Sequence, residues 1–369
     1  MSDDTLTMLA DAAAAFAKPD GKRIRALRGG ADGFDRDTWR QMAEQGWLSV
    51  LVPEAAGGLG LGVEAAAAIA TRLGYAAWPE PFVAAGVLTT ALLARADNRA
   101  PAATLLEQAV GGAQVVTAAW QNDAGDLAPE TAGVTESGGV LEGTCRFVRV
   151  AAADVFLIGA RGRDGLSLHA VERGRAGLSI QTEAAADGSA SARLVLRGAR
   201  VTSADRLIGP AAAAQALGYA IDAAVLCTAA ELVGIMERVL ELTFEYLRTR
   251  KQFGKPIGSF QALQHRAVDI WIQQELSKAA LAAALARFDA PLATARARAL
   301  AAAGAKARAA EAAMLVCKQA VQLHGAIGFT DEYDLSLYFN RALVLCAWLG
   351  NAAAQRRRYG ELALAEAHS

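Results

Sequence analysis

The sequence predicts a mainly α protein with a central β domain: a helical domain over residues 1–113, a β-barrel-like domain over 114–207 and a four-helix bundle over 208–369. Three observations carry this expectation. Alanine-rich stretches with apolar residues at helical spacing fill both ends of the chain. Between them, short apolar and β-branched runs recur at roughly ten-residue intervals, punctuated by Gly, Asp, Asn and Ser. After residue 208 the helical pattern runs in long segments joined by short links, as in an antiparallel bundle.

Within the first zone, Trp39, Met42 and Ala43 put an apolar stripe on a helix over 35–45. A compact alanine-rich helix follows from Glu64 to Leu73. Trp78-Pro79-Glu80-Pro81 opens another, since a first helical turn tolerates proline. The glycines between Gly57 and Gly62 look like a phosphate-cradling loop, but no βαβ unit surrounds them and no acidic residue follows at dinucleotide-binding distance. A flexible interhelix turn is the better reading. In the middle zone, the runs at 115–117, 133–135, 146–148, 155–158, 166–171 and 192–196 predict an antiparallel sheet or small barrel. In the last zone, 210–249, 260–287, 291–324 and 331–360 are the four expected helices, with Pro291 in the first turn of the third.

Composition narrows the function. A hydrophobic content of 53%, inflated by alanine, with 20% charged residues, belongs to a globular chain rather than a disordered one. The formal net charge of -1 gives no electrostatic pull toward nucleic acid or an anionic membrane. No uninterrupted apolar run approaches the roughly twenty residues that span a bilayer, so no membrane segment is expected. The amino terminus is acidic, without the basic start of a secretory signal. Cys145, Cys227, Cys317 and Cys346 are scattered, with no C-x-x-C, and read as reduced core residues. A cytoplasmic location is the expectation. His169, His265, His324 and His368 lack the spacing of a metal site, so no metal is expected. Arg356-Arg357-Arg358 reads as a solvated helix end, favourably placed for the helix dipole.

The chemistry concentrates in two segments. Arg250-Lys251-Gln252-Phe253-Gly254-Lys255-Pro256-Ile257-Gly258-Ser259-Phe260-Gln261 ends one long helix, turns, and opens the next. Guanidinium, carboxamides and aromatics together suit a ligand with a flat ring and a charged diphosphate. Gln322-Leu323-His324-Gly325-Ala326-Ile327-Gly328-Phe329 is another helix end that breaks into glycine. For each segment alone, a charged helix terminus with an aromatic in the core is the plain alternative.

Together the two segments resemble the signature of the acyl-CoA dehydrogenases, flavoenzymes that desaturate acyl thioesters. Gly46-Trp47 followed by Pro53-Glu54-Ala55-Ala56-Gly57-Gly58-Leu59-Gly60 is similar to a stretch of the same family. The resemblance implies two helical domains flanking a β domain, extended FAD, an acyl-CoA substrate, and a homo- or hetero-oligomer in which one subunit's bundle completes its neighbour's flavin site. It implies that Arg250 and Gln252 hold the FAD diphosphate and that Phe253, Phe260 and Gln261 lie along the adenosine half. Gln322, His324, Gly325 and Ala326 would form a backbone-close FAD contact, with Ala326 adding a methyl where the family has glycine. Phe147 and Val148 would lie near the flavin ring. A family threonine that contacts the flavin is replaced at about Trp120.

The reaction needs a carboxylate base in an apolar pocket to take the α-proton. At the family's usual position for that glutamate, this chain has Leu349. At the alternative position on the first bundle helix it has Ala224, and the assisting arginine is Val225. Asp222 matches a family acid that contacts substrate, and Glu231 lies farther along the same helix; these are the two weak candidates for a replacement base. The Gly-Asn-Ala-Ala after Leu349 resembles the ending of small, glutamate-lacking subunits in two-subunit members of the family. The expectation is a flavoprotein subunit of that kind. The alternatives are a complete dehydrogenase with a displaced base, a flavin-dependent oxygenase on the same scaffold, and a structural descendant without flavin.

Overall fold

The computed structural model describes residues 3–364; His368 lies outside them. Six helices precede the strands: α1 (Asp3–Phe16), α2 (Gly21–Leu27), α3 (Arg36–Glu44), α4 (Gly62–Tyr75), α5 (Thr90–Leu93) and α6 (Arg99–Val110). Asp35 caps α3, its carboxylate accepting from the Asp37 amide at 2.9 Å and from the Thr38 hydroxyl at 2.9 Å. The segment after Pro81 is helical, as expected, but its first stretch, Phe82–Thr89, is a fully buried π-helix.

Eight strands form one sheet: β1 (Val116–Ala119), β2 (Val134–Ser137), β3 (Val140–Val148), β4 (Val155–Gly162), β5 (Gly165–Glu172), β6 (Leu178–Ala184), β7 (Ala190–Arg200) and β8 (Arg206–Ile208). Their order is β6-β7-β3-β2-β4-β5-β8, with β1 beside β4. The sheet is mixed rather than wholly antiparallel. β5 occupies one edge of β4, while β1 and then β2 run parallel along the other, against Val155–Ile158 and Ala160–Arg161 in turn. They act as one neighbour of β4 interrupted by the loop between them, and β2 pairs on its other side with β3. β6 lies outside the expected runs, because its alternating Ser, Gln and Glu keep it half exposed and mute its apolar signal.

The rest of the chain is α7 (Pro210–Thr249), a hairpin of β9 (Lys251–Gln252) and β10 (Lys255–Pro256), α8 (Gln261–Phe288), α9 (Ala295–His324), α10 (Leu335–Ala347) and α11 (Ala352–Leu364). Two boundaries differ from the sequence reading. The α9 cap is Thr294, whose hydroxyl accepts from the Ala297 amide at 3.1 Å, and Pro291 sits in the turn before it. The expected helix over 331–360 is two helices, because Leu349 and Gly350 turn to φ values of 55° and 87°.

The chain groups into two units. One draws on residues before 27, on 67–78 and on everything from 225 onward; the other holds 27–66 and 79–224. In the first, α9 packs against α8, α10 and α11, and its run of buried alanines lets these helices approach closely. α4 crosses the second half of α7 at two glycines. A methyl on Gly74 would lie 2.1 Å from the Glu231 carbonyl oxygen, and one on Gly234 would lie 1.9 Å from that of Thr71. In the second unit, the sheet buries Phe156, Ile158, Leu168, Val171 and Leu194 as its core.

Against the expectation from apolar runs, α7 is long and apolar enough to cross a membrane. Its apolar window is 94% buried inside the protein, which makes it a core helix whose hydropathy comes from packing demands.

Candidate functional site

The cationic segment is built on a tight hairpin. α7 ends with the Arg250 amide donating to the Tyr246 carbonyl at 2.8 Å, and the Ile257 amide donates back to Arg250 at 2.8 Å. Phe253 and Gly254 form the tip between β9 and β10. Phe253 is 90% exposed, with a left-handed φ of 54°, and its ring meets Phe260 edge-on at 6.1 Å. The Lys255 ammonium sits 4.4 Å from the Phe260 ring centroid. Arg250, Lys251, Gln252 and Gln261 are exposed beside these rings. Neither Arg250, Lys251 nor Lys255 has a carboxylate partner among the described residues. Unpaired cations next to exposed aromatic faces are what a nucleoside diphosphate requires.

The second segment meets the first through their helix ends. The His324 ring stacks on Tyr246 at 4.5 Å, four residues before Arg250. One of its nitrogens, Nδ1, lies 2.8 Å from the Ala320 carbonyl and donates to it; Nε2 lies 3.3 Å from the Tyr333 hydroxyl. Burial pushes the imidazole pKa down, so the ring is neutral and accepts from Tyr333. His324 therefore faces inward as the joint between α7 and α9. Gln322, Gly325 and Ala326 form the exposed side of this turn.

In the other unit, a bulge between Cys145 and Val148 turns the end of β3. There Phe147 takes a φ of 58° and is 39% exposed, while Val148 is buried. The Phe147 ring lies against Gly125, where a Cβ would come within 3.1 Å of it. The loop carrying Gly125 is closed on itself. The Trp120 indole donates to the Leu127 carbonyl at 3.3 Å, Gln121 Nε2 to Gly125 at 2.8 Å, and Asn122 Oδ1 accepts from Ala124 at 3.0 Å. Trp120 itself is buried and offers this surface no hydroxyl.

The turn between α10 and α11 holds Leu349, 1% exposed and at a left-handed φ. Gln355 Nε2 donates to its carbonyl at 2.5 Å. Lys306, fully buried on α9, donates from Nζ to the Leu345 carbonyl at 2.6 Å and to that of Trp348 at 3.0 Å. Burial brings its pKa down to about 8. Nearby, Glu231 is bound to the Arg341 guanidinium at 2.7 Å, both groups enclosed. A carboxylate so committed is a poor proton acceptor for a substrate. Asp222 is buried on α7, as are Ala224 and Val225. The sequence reading missed Lys306 and Gln355. A lone lysine amid buried alanines was the available signal. Among the described non-glycine residues, the left-handed ones are Ala77, Phe147, Phe253 and Leu349, so three of the four are positions the sequence had singled out.

An exposed cation–aromatic hairpin and a glycine-broken helix end tied to it, in a chain of helix–sheet–helix build, are the features a nucleotide-cofactor protein would carry. The comparisons make this specific. The family profile "Acyl-CoA dehydrogenase, N-terminal domain" matches residues 3–112, and "Acyl-CoA dehydrogenase, C-terminal domain" matches 211–364. Acyl-CoA dehydrogenase FadE27 of Mycobacterium tuberculosis is 33% identical over 342 residues, spanning 89% of this chain and 88% of its own. A chain of the ChsE4–ChsE5 complex from Mycobacterium tuberculosis superposes with a TM-score of 0.88 at 30% identity, covering 99% of this chain and 98% of that one. A variant of the Tcur3481–Tcur3483 steroid ACAD gives 0.87 at 30%, covering 99% of each. The chain belongs to the acyl-CoA dehydrogenase family, and FAD is the cofactor that goes with it.

Proposed function

We propose that this chain is the subunit lacking the catalytic base in a two-subunit, FAD-dependent dehydrogenase that desaturates a bulky acyl-CoA thioester. The observation that carries this reading is Leu349. The turn that would match the family's base position is held by hydrogen bonds from neighbouring helices, and its side chain is a buried hydrocarbon. Glu231 is taken by Arg341, and Ala224 and Val225 offer no titrating group. The similarity to a chain of the ChsE4–ChsE5 complex and to a steroid ACAD supports both a heteromer and a bulky acyl group.

In this arrangement the α,β-hydrogens leave as a proton and a hydride, and FAD, when bound, accepts the hydride. This chain's residues do the holding. Arg250 would grip the diphosphate with its planar fork, Gln252 would add amide hydrogen bonds, and Phe253 and Phe260 would flank the adenosine. The exposed backbone of Gln322, Gly325 and Ala326 would close on the same cofactor. Proton removal would fall to the glutamate of the partner subunit.

Arg250→Ala in the complex reconstituted with a glutamate-bearing partner should weaken FAD retention by about 10- to 100-fold, the worth of one charge-assisted phosphate contact. Flavin content unchanged on gel filtration would remove the hairpin from the cofactor site.

A further inference from the structure

A cavity of about 400 Å³ opens between α6, the end of β5 and the loop that leads into β8. Leu105, Val155 and Leu207, all buried, give it an apolar floor. The polar groups around that floor are unevenly committed. The Arg175 guanidinium donates to Asp205 at 2.8 Å and to the Arg200 carbonyl at 3.1 Å. Asp205 also accepts from the amide and the hydroxyl of Thr202, at 2.7 and 2.9 Å. This pair is satisfied within the wall and neutral as a unit.

Two other groups are not satisfied. Gln114 follows α6, and its backbone amide donates back to the Gln108 carbonyl at 3.1 Å. Its side-chain Oε1 is closed off from solvent and accepts no hydrogen bond. An enclosed acceptor without a donor is costly and marks a place where a donor belongs. Glu172, the last residue of β5, keeps an exposed carboxylate on the same cavity, and no hydrogen bond or ion pair holds it among the described residues. With Arg175 and Asp205 cancelling, Glu172 leaves the cavity with a net negative charge.

We propose that this cavity binds a small organic cation, a primary ammonium on a compact apolar body. An ammonium offers three N–H donors and no acceptor, which is what Gln114 Oε1 and the Glu172 carboxylate lack. The apolar body covers Leu105, Val155 and Leu207, and the volume is that of a small-molecule site. A hydroxyl in place of the ammonium would leave the charge of Glu172 unanswered, and an anion would be repelled by it.

This inference does not rest on the proposed function, because binding is read on the full-length chain without FAD, acyl-CoA or a second subunit. Cyclohexylmethylamine and its neutral counterpart cyclohexylmethanol are the probes, titrated by calorimetry and by saturation-transfer NMR at neutral pH. The amine should bind about tenfold more tightly than the alcohol, the worth of one charge-assisted contact. Glu172→Gln should erase that preference. Gln114→Leu, which removes the orphaned acceptor without changing a charge, should weaken the amine while the circular dichroism stays unchanged. Glu107→Gln, a charge change on α6 outside the cavity, should leave both probes unaffected. Equal binding of amine and alcohol, or binding of neither, overturns the proposal. So does an amine preference that survives Glu172→Gln or falls equally with Glu107→Gln, since it then reports only general attraction to a carboxylate-bearing surface.

Discussion

Lys306 holds an ammonium inside the bundle, where desolvation outweighs the carbonyl oxygens and the nearby Cys346 and Glu231 that favour its charge, and its pKa falls to about 8 from 10.5. The unfolded chain therefore binds this proton more tightly than the folded one. As pH rises from about 8 to about 10.5, the lysine's penalty is lifted and its contribution to stability rises, by on the order of 3 kcal/mol at most. Buried cysteines act oppositely, since burial pushes the Cys145 thiol up to about 12 and the unfolded chain ionises first. The difference between wild type and Lys306→Met isolates the lysine: urea unfolding should show the wild type gaining on the variant across that window. His169 behaves as a second probe. It is buried in the β unit, neither ring nitrogen has a hydrogen-bond partner, and burial pushes its pKa down. Below about pH 6.5 the unfolded chain takes up the proton first, so stability falls with acid. His169→Leu should raise stability at pH 7 by about 1 kcal/mol, through removal of an unsatisfied donor, and should flatten the acid limb of a thermal-melt series. Among the candidate site residues, Arg250 and Phe253 are exposed, as their place at a helix end and turn suggests, and stand as proposed cofactor contacts. His324 was read as a cofactor contact, and its inward stack on Tyr246 depends on a tertiary neighbour that no spacing reveals.

At the scale of elements, the crossing of α4 and α7 is set by glycines rather than by large side chains. Gly234→Ala would drive a methyl into the Thr71 carbonyl, a rigid backbone atom that cannot yield as a side chain would. The helices must separate, and overpacking of this kind costs about 1–3 kcal/mol. A drop in Tm of several degrees is expected, measurable by calorimetry, and Gly218→Ala, whose added Cβ meets nothing within 4 Å, is the matched control. Long helices were readable from alanine content and short links, and α7 and α8 fall within a residue or so of where the pattern put them. The break at Leu349 was not readable, because a leucine beside one glycine carries little turn signal. Its conformation is imposed by Lys306 and Gln355 from other helices. The mixed sheet was equally hidden: direction along β4 depends on how the loop between β1 and β2 travels, and periodicity carries no direction.

For the whole molecule, the proposed division of labour makes a spectroscopic prediction. The purified chain alone should show little flavin absorbance near 450 nm, and acyl-CoA thioesters should not bleach it. Coexpression with a glutamate-bearing homologue should bring absorbance and bleaching together. A yellow chain that bleaches unaided would place the base on Asp222 or elsewhere within this chain and end the two-subunit reading. The helix–sheet–helix succession was legible from end to end, because composition changes at each boundary. The grouping into two packed units was not, since α7 contributes to both and the chain returns to the first unit at 67–78.

The turn at Leu349 also bears on ancestry. A leucine in left-handed backbone is an uncomfortable choice, and a buried lysine and glutamine hold it there. On the proposed reading, descent has erased the reagent and spared the mounting. The gap between this chain and an acid–base catalyst is then a codon, not a loop, and Leu349→Glu is the shortest route back across it.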